Sequence, residues 1–186
     1  LKNLLILENG DMNYKGEVTP GKLEGIDSNY TNPLNNLTIT YEGDTKSIEA
    51  LIDSEGMKGK FVSADFKKGD LTLSTKQPLV LKSMVPLPKE LDSSKVAVDI
   101  HVPLDFANIT VLNAKAKIIS NLANVNADVL YDKKFKIITE TIFPKNSLLR
   151  EFSKELNLDA LSPLQADLTM AEKTLHVDIN SKGLTS

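Results

Sequence analysis

The chain holds 186 residues, 41% of them hydrophobic and only 5% aromatic, so it can bury a core and is too apolar to be disordered. Its net charge of −3 is spread as single acidic and basic residues, without a basic stripe or aromatics set between lysines, which argues against nucleic-acid binding. Cysteine is absent, which excludes disulfides, thiolate metal sites and a cysteine nucleophile.

Leu4 to Leu7 reads as a strand that stops at Asn9-Gly10, a strong turn dipeptide, and Tyr14 to Val18 as its partner, closed by Pro20-Gly21. A short run from Lys22 to Ile26 precedes a polar loop from Asp27 to Asn36. Leu37, Ile39 and Tyr41 alternate with threonines into a turn at Glu42-Gly43-Asp44, and Ile48 to Ile52 returns as a strand. Phe61 to Phe66 and Leu71 to Thr75 form a hairpin around Lys68-Gly69-Asp70. The stretch from Gln77 to Glu90 carries Pro78, Pro86 and Pro88; proline cannot donate to a sheet ladder, so this is a crossover or edge segment. It divides the chain into a first β-meander section, residues 1–90, and a second, residues 91–186.

The second section has the clearest pattern. Val96, Val98, Ile100 and Val102 alternate with Lys95, Ala97, Asp99 and His101. The same period of two returns from Ala123 to Tyr131 and from Phe135 to Phe143, with only Asp132, Lys133 and Lys134 between. Successive side chains on a strand point to opposite faces, so each run has one apolar and one wet face. Leu148, Leu149, Phe152 and Leu156 then recur at helical spacing, which predicts a short helix over 146–156. Leu164 to Met170 and Leu175 to Ile179 close the chain as a hairpin. The whole is mainly β, an antiparallel meander of roughly ten to twelve strands, curled into a groove or folded into a sandwich.

No motif announces a reaction. His101 and His176 each sit beside an acid, Asp99 and Asp178, on the wet side of a strand, with no further ligands at metal spacing. The carboxylates are scattered, without a catalytic pair. Gly56-Met57-Lys58-Gly59-Lys60 lacks the spacing of a phosphate loop and precedes a strand, so it reads as a turn. Asn29, Asn36 and Asn108 open glycosylation sequons, which arise by chance in an asparagine-rich chain. The expectation is a protein with no catalytic residues, no metal and no cofactor.

What remains is the apolar side of the strands. Either it is the core of an ordinary sandwich, or it is an open wall that carries an acyl chain, for which aliphatic strands poor in aromatics are suited. On the second reading Val96, Val98, Ile100, Val125, Val129, Phe135, Ile137, Val177 and Ile179 line the groove.

The long meander, the helix after Phe143-Pro144, the resumption at Leu164-Gln165-Ala166-Asp167-Leu168 and the closing phrase from Leu175 to Leu184 together resemble the AsmA-like envelope proteins, the superfamily of the TamB and YhdP types. The resemblance spans about 91–184. It implies a repeating, taco-like β-groove with a hydrophobic interior, in proteins anchored in the inner membrane of Gram-negative bacteria and extending through the periplasm. It further implies a role in phospholipid transport to the outer membrane or in outer-membrane assembly, without catalytic residues. The implied partner is a phospholipid or another acyl-chain ligand. Contact with a membrane would come through parts of a longer chain, since Leu1 follows no signal pattern and no run is long enough to span a bilayer. The alternative is a structural or adhesive module of a secreted or surface protein that binds protein or glycan.

Overall fold

A computed structural model describes residues 3–20, 33–83, 87–108, 111–132, 134–152, 155–171 and 174–181. The strands are β1 (Asn3–Ile6), β2 (Met12–Val18), β3 (Thr38–Asp44), β4 (Ile48–Asp53), β5 (Met57–Ser63), β6 (Lys68–Thr75), β7 (Leu79–Val80), β8 (Lys95–Asp105), β9 (Val111–Ser120), β10 (Asn124–Asp132), β11 (Lys134–Ile142), β12 (Leu164–Ala171) and β13 (Thr174–Ser181). They form one antiparallel sheet in which each strand lies beside its neighbour in the chain, from β1 at one edge to β13 at the other, and it does not close into a barrel. The proline-rich crossover does not interrupt it. β6 pairs with the second half of β8 and the short β7 with its first residues, so Pro78 falls where one ladder hands over to the next.

The two ends of the strands differ. Along one rim, the described hairpins turn on side chains of the turn itself. Asp44 Oδ1 accepts the N–H groups of Lys46 and Ser47, each at 2.7 Å. Asp65 Oδ1 accepts those of Lys67 and Lys68 at 2.9 Å, and Asp105 Oδ1 those of Ala107 and Asn108. Ser63, 2% exposed, donates to the Lys68 carbonyl and accepts from Phe66 N–H in the same turn as Asp65. Along the other rim lie the insertions: 3₁₀ turns at Leu81–Ser83 and Lys89–Leu91, and two single-turn helices, α1 (Leu149–Phe152) and α2 (Leu158–Leu161). They are pinned near the strand ends by Ser147 Oγ, which donates to the Leu122 carbonyl, and by Leu81 N–H, which donates to the Ser94 carbonyl. Leu91, Leu158, Ser54, Ser94 and Ser147 are buried along this rim.

The aspartate turns carry a pH dependence. The backbone N–H groups of Lys46 and Ser47 hold the Asp44 carboxyl below its ordinary 3.8, those of Lys68 and Lys67 do the same for Asp65, and the Asn108 side chain leads at Asp105. A carboxyl depressed in the folded state adds stability that is complete above its unfolded value and is lost as pH falls through the folded one. The thermal midpoint is therefore expected to fall below about pH 4. Combined Asp44→Asn, Asp65→Asn and Asp105→Asn, which keep an acceptor but no charge, should flatten the curve. An equal slope in the variant would remove these turns as its source.

The helical region differs from expectation. In place of one helix over 146–156 there are two single turns, because Asn157 caps α2 by accepting Ala160 N–H at 3.1 Å and restarts the helix there. Arg150 ties the two together, donating to the Pro144 carbonyl and to Asp159 Oδ1. Leu156, expected in the apolar stripe, is 54% exposed, and Leu158 takes the buried place at 3%. The turns expected at Glu42-Gly43-Asp44 and Lys68-Gly69-Asp70 are strand, the chain reversing at 45–47 and 64–67 instead. Met57 to Lys60, read as a turn, belongs to β5. The run from Lys22 to Ile26 lies outside the described residues.

No second layer covers the sheet among the described residues. Among the described residues only Ala50, Leu91, Val96, Ala114 and Leu158 are buried hydrophobic side chains. The chain exposes 12801 Å², where a compact domain of 20.4 kDa would expose about 8,800 Å². This is an open sheet, not a sandwich.

Candidate functional site

Directly opposed residues in antiparallel strands share a face, so the register sorts every strand residue onto one of two sides. One side carries Leu4, Ile6, Met12, Tyr14, Ile39, Tyr41, Ala50, Ile52, Phe61, Leu71 and Leu73 in the first section, and continues through Val98, Ile118, Val125, Val129, Ile137, Leu168 and Val177 in the second. Among the described residues, not one Asp, Glu, Lys or His of a strand lies on this side; all fall on the other. All nine residues expected to line a groove are here: Val96, Val98 and Ile100 on β8, Val125 and Val129 on β10, Phe135 and Ile137 on β11, Val177 and Ile179 on β13.

The apolar side is packed by its own side chains. Gly16, Gly43, Gly59 and Gly69 all face it, and each is covered by a large neighbour: Tyr41 over Gly16, Tyr14 over Gly43, Leu73 over Gly59 and Phe61 over Gly69. The missing Cβ lets these side chains lie flat on the backbone. Burial, with help from the Asp44 charge, pushes the Tyr14 phenol up, and its hydroxyl donates to the Ser47 carbonyl. In the second section a lane of small residues crosses the sheet: Ala116, Ala127, Thr139 and Ala166 are successive cross-strand partners. Ile118 and Val125 stand on one flank, Val129, Ile137 and Leu168 on the other.

Exposure rises toward the edges, where Leu4, Ile6, Leu175, Val177 and Ile179 are each about half exposed or more. Eleven strand spacings of about 4.8 Å and a strand length of about 23 Å give an apolar side of roughly 1,200 Å². Soluble monomers rarely expose more than about 300–600 Å² in one patch.

A concavity lies on the other side. A groove of about 970 Å³ crosses seven strands, β3 to β6 and β8 to β10. One wall is the cross-strand row Thr38, Asp53, Lys58, Ser74, Asp99, Lys117 and Asn126. The other is Thr40, Leu51, Lys60, Thr72, His101, Lys115 and Asp128. Six spacings make it about 29 Å long. Several of its side chains are partnered at the surface: Lys60 with Glu49 and Asp53 with Lys76 at 2.8 Å, while His101 Nε2 lies 2.9 Å from Asp70 Oδ1. Exposed pairs of this sort add little stability and keep the side wet.

His101 thus contacts Asp70 across the sheet rather than its sequence neighbour Asp99. Among the described residues no three His, Asp or Glu side chains come together as a metal set. The groove walls went unread in the sequence. Lys58 with Lys60 and Lys115 with Lys117 each show the two-residue spacing of one strand face, but only the register reveals that the pairs stand in the same two rows.

Comparison with family models, with curated proteins and with solved structures finds no match for this chain.

Proposed function

We propose that the chain is a non-enzymatic, lipid-handling section of an AsmA-like envelope protein, with the uncharged side of its sheet as the surface on which acyl chains lie. The observation that carries this reading is the complete segregation of charge: among the described residues every charged strand residue is on one side, and an uncharged, mostly apolar side of roughly 1,200 Å² is left without a covering layer. Acyl chains need contact area and few directional partners, and a strand-lined aliphatic side supplies that. The lane over Ala116, Ala127, Thr139 and Ala166 crosses about 14 Å between branched flanks, close to the depth of one bilayer leaflet, about 15 Å. On this reading the protein works in the periplasm, held at the inner membrane by a segment outside these residues, and its ligand is a phospholipid.

A second reading is favoured by the groove on the charged side. Its length and its rows of Lys, Asp and Thr suit an extended polypeptide, which would make the chain a structural or adhesive module. No Phe or Tyr lines it, so the ring stacking that commonly holds sugars is missing.

Native mass spectrometry with solvent extraction, on protein purified without detergent, separates the two. Bound phospholipid or fatty acid is the result expected. A clean apo mass, unchanged after incubation with phospholipid vesicles, would reject the lipid reading and leave the polypeptide groove.

A further inference from the structure

We propose that two neighbouring hairpin tips, at Phe66 and Phe106, form a lip that inserts into the headgroup layer of a phospholipid bilayer. Phe66 lies between β5 and β6, and Phe106 follows β8, on the rim of the aspartate turns. They are 43% and 39% exposed, where the tip between β3 and β4 carries Thr45 and Lys46. The two tips are locked together. Phe106 N–H donates to the Lys67 carbonyl at 2.7 Å, and the Phe106 ring meets Phe61 edge-on with centroids 6.1 Å apart. Phe66 has a φ of +53°, a left-handed conformation that glycine and asparagine adopt readily and a bulky side chain does not. Asn36 has the same φ and is a residue type suited to it. Ser63 and Asp65 hold the turn around Phe66 through backbone N–H groups, and no bond among these involves the ring. The turn itself therefore gives no reason for a phenylalanine, and strain kept under an exposed side chain points to a task outside the fold.

A bilayer surface is the occupant that fits. Lys67 and Lys68 balance Asp65 and Asp105, so the lip carries no net charge toward a layer of zwitterionic headgroups. Phenylalanine settles in that layer, its ring reaching the boundary of the acyl chains. The lip is also continuous with the uncharged side of the sheet. Phe61, on which Phe106 rests, covers Gly69, with Leu71 opposite Phe61 and Leu104 opposite Gly69. A lipid leaving the bilayer here would meet apolar side chains without crossing the charged side. Both tips belong to β5, β6, β8 and β9, inside the sheet, so the lip is the same whatever adjoins the sheet's margins. The inference goes beyond the lipid reading and does not need it, because a protein can dock on a bilayer without carrying a ligand.

The chain has no tryptophan, so Phe66→Trp places a single reporter on the lip, and Leu51→Trp, on the charged side, serves as its control. With phosphatidylcholine vesicles the emission of Phe66→Trp is expected to move to the blue and that of Leu51→Trp to stay. In flotation with the same vesicles, Phe66→Gly should bind at least about fivefold less than the native chain, because it removes the larger part of the inserted ring surface. The native chain should float equally in low and high salt, since the lip has no net charge. The urea midpoint of Phe66→Gly should hold or rise, because glycine relieves the left-handed backbone. An emission that does not move with vesicles would overturn the inference and leave the tips to a protein partner. So would equal shifts in the two tryptophan variants, or full flotation of Phe66→Gly. A urea midpoint lowered in Phe66→Gly would overturn it too, by making the ring a support of the hairpin. Flotation only with phosphatidylglycerol vesicles, and only in low salt, would do the same, as the mark of scattered lysines rather than of the lip.

Discussion

On the proposed lipid reading, Val98→Asp is expected to abolish lipid binding while the sheet stays folded. Val98 is half-buried on β8, opposite Ile118, in the row that flanks the lane of small residues. Burying a whole valine is worth about 1.5–3 kcal/mol. Only part of that is realised on a side with no layer above it, so the cost to folding should be about 1 kcal/mol. An acyl chain laid across the same point would desolvate the new carboxylate, and an unpaired charge in an apolar contact costs several kcal/mol, enough to lower occupancy by more than about tenfold. Lipid extracted per mole of protein, together with the circular dichroism spectrum, reads both quantities. Retention of lipid by a folded Val98→Asp protein would remove this side as the lipid surface. Loss of the fold itself would instead make Val98 part of a closed core.

Gly59→Ala should cost about 2 kcal/mol, although replacing glycine usually gains stability through the unfolded chain. A Cβ at this position would stand 2.5 Å from Leu73 Cδ2 and 2.6 Å from the Thr72 carbonyl oxygen. The side chain can swing away, but the carbonyl belongs to the ladder between β5 and β6 and cannot. Urea unfolding of Gly59→Ala, Leu73→Ala and the double variant separates the two contacts. The double variant should recover part of the loss, as side-chain coupling, and leave the backbone part. An alanine at 59 that stabilises the protein would show that the two strands sit further apart than the register implies.

The strands could be read from sequence because charge and aliphatic side chains alternate with almost no error. The runs at Val96, Val125 and Phe135 carry that period, and it told which residues share a side before any pairing was known. β9 was harder: Ala114 and Ala116 stand where larger aliphatics would have marked the apolar side, and Ile119 lies on the charged one. Turn positions shifted because Gly43 and Gly69, read as turn glycines, serve the sheet by making room for Tyr14 and Phe61. The real reversals are set by Asp44, Asp65 and Asp105, whose carboxylates bind the backbone two and three residues on. The groove on the charged side could not be read at all. Its walls are rows across seven strands, and a row exists only once every register is fixed.

The pairing of each strand with its neighbours in the chain, noted as a matter of topology, has a consequence for cooperativity. A sheet of this order behaves as a one-dimensional lattice: its stability is close to a sum of adjacent couplings, as in repeat proteins. Unfolding then advances from the margins inward. β1, four residues long, and β13 go first, and β10, paired over its full length on both flanks, goes last. Loss or gain of a terminal hairpin changes the length of such a lattice more than its nature.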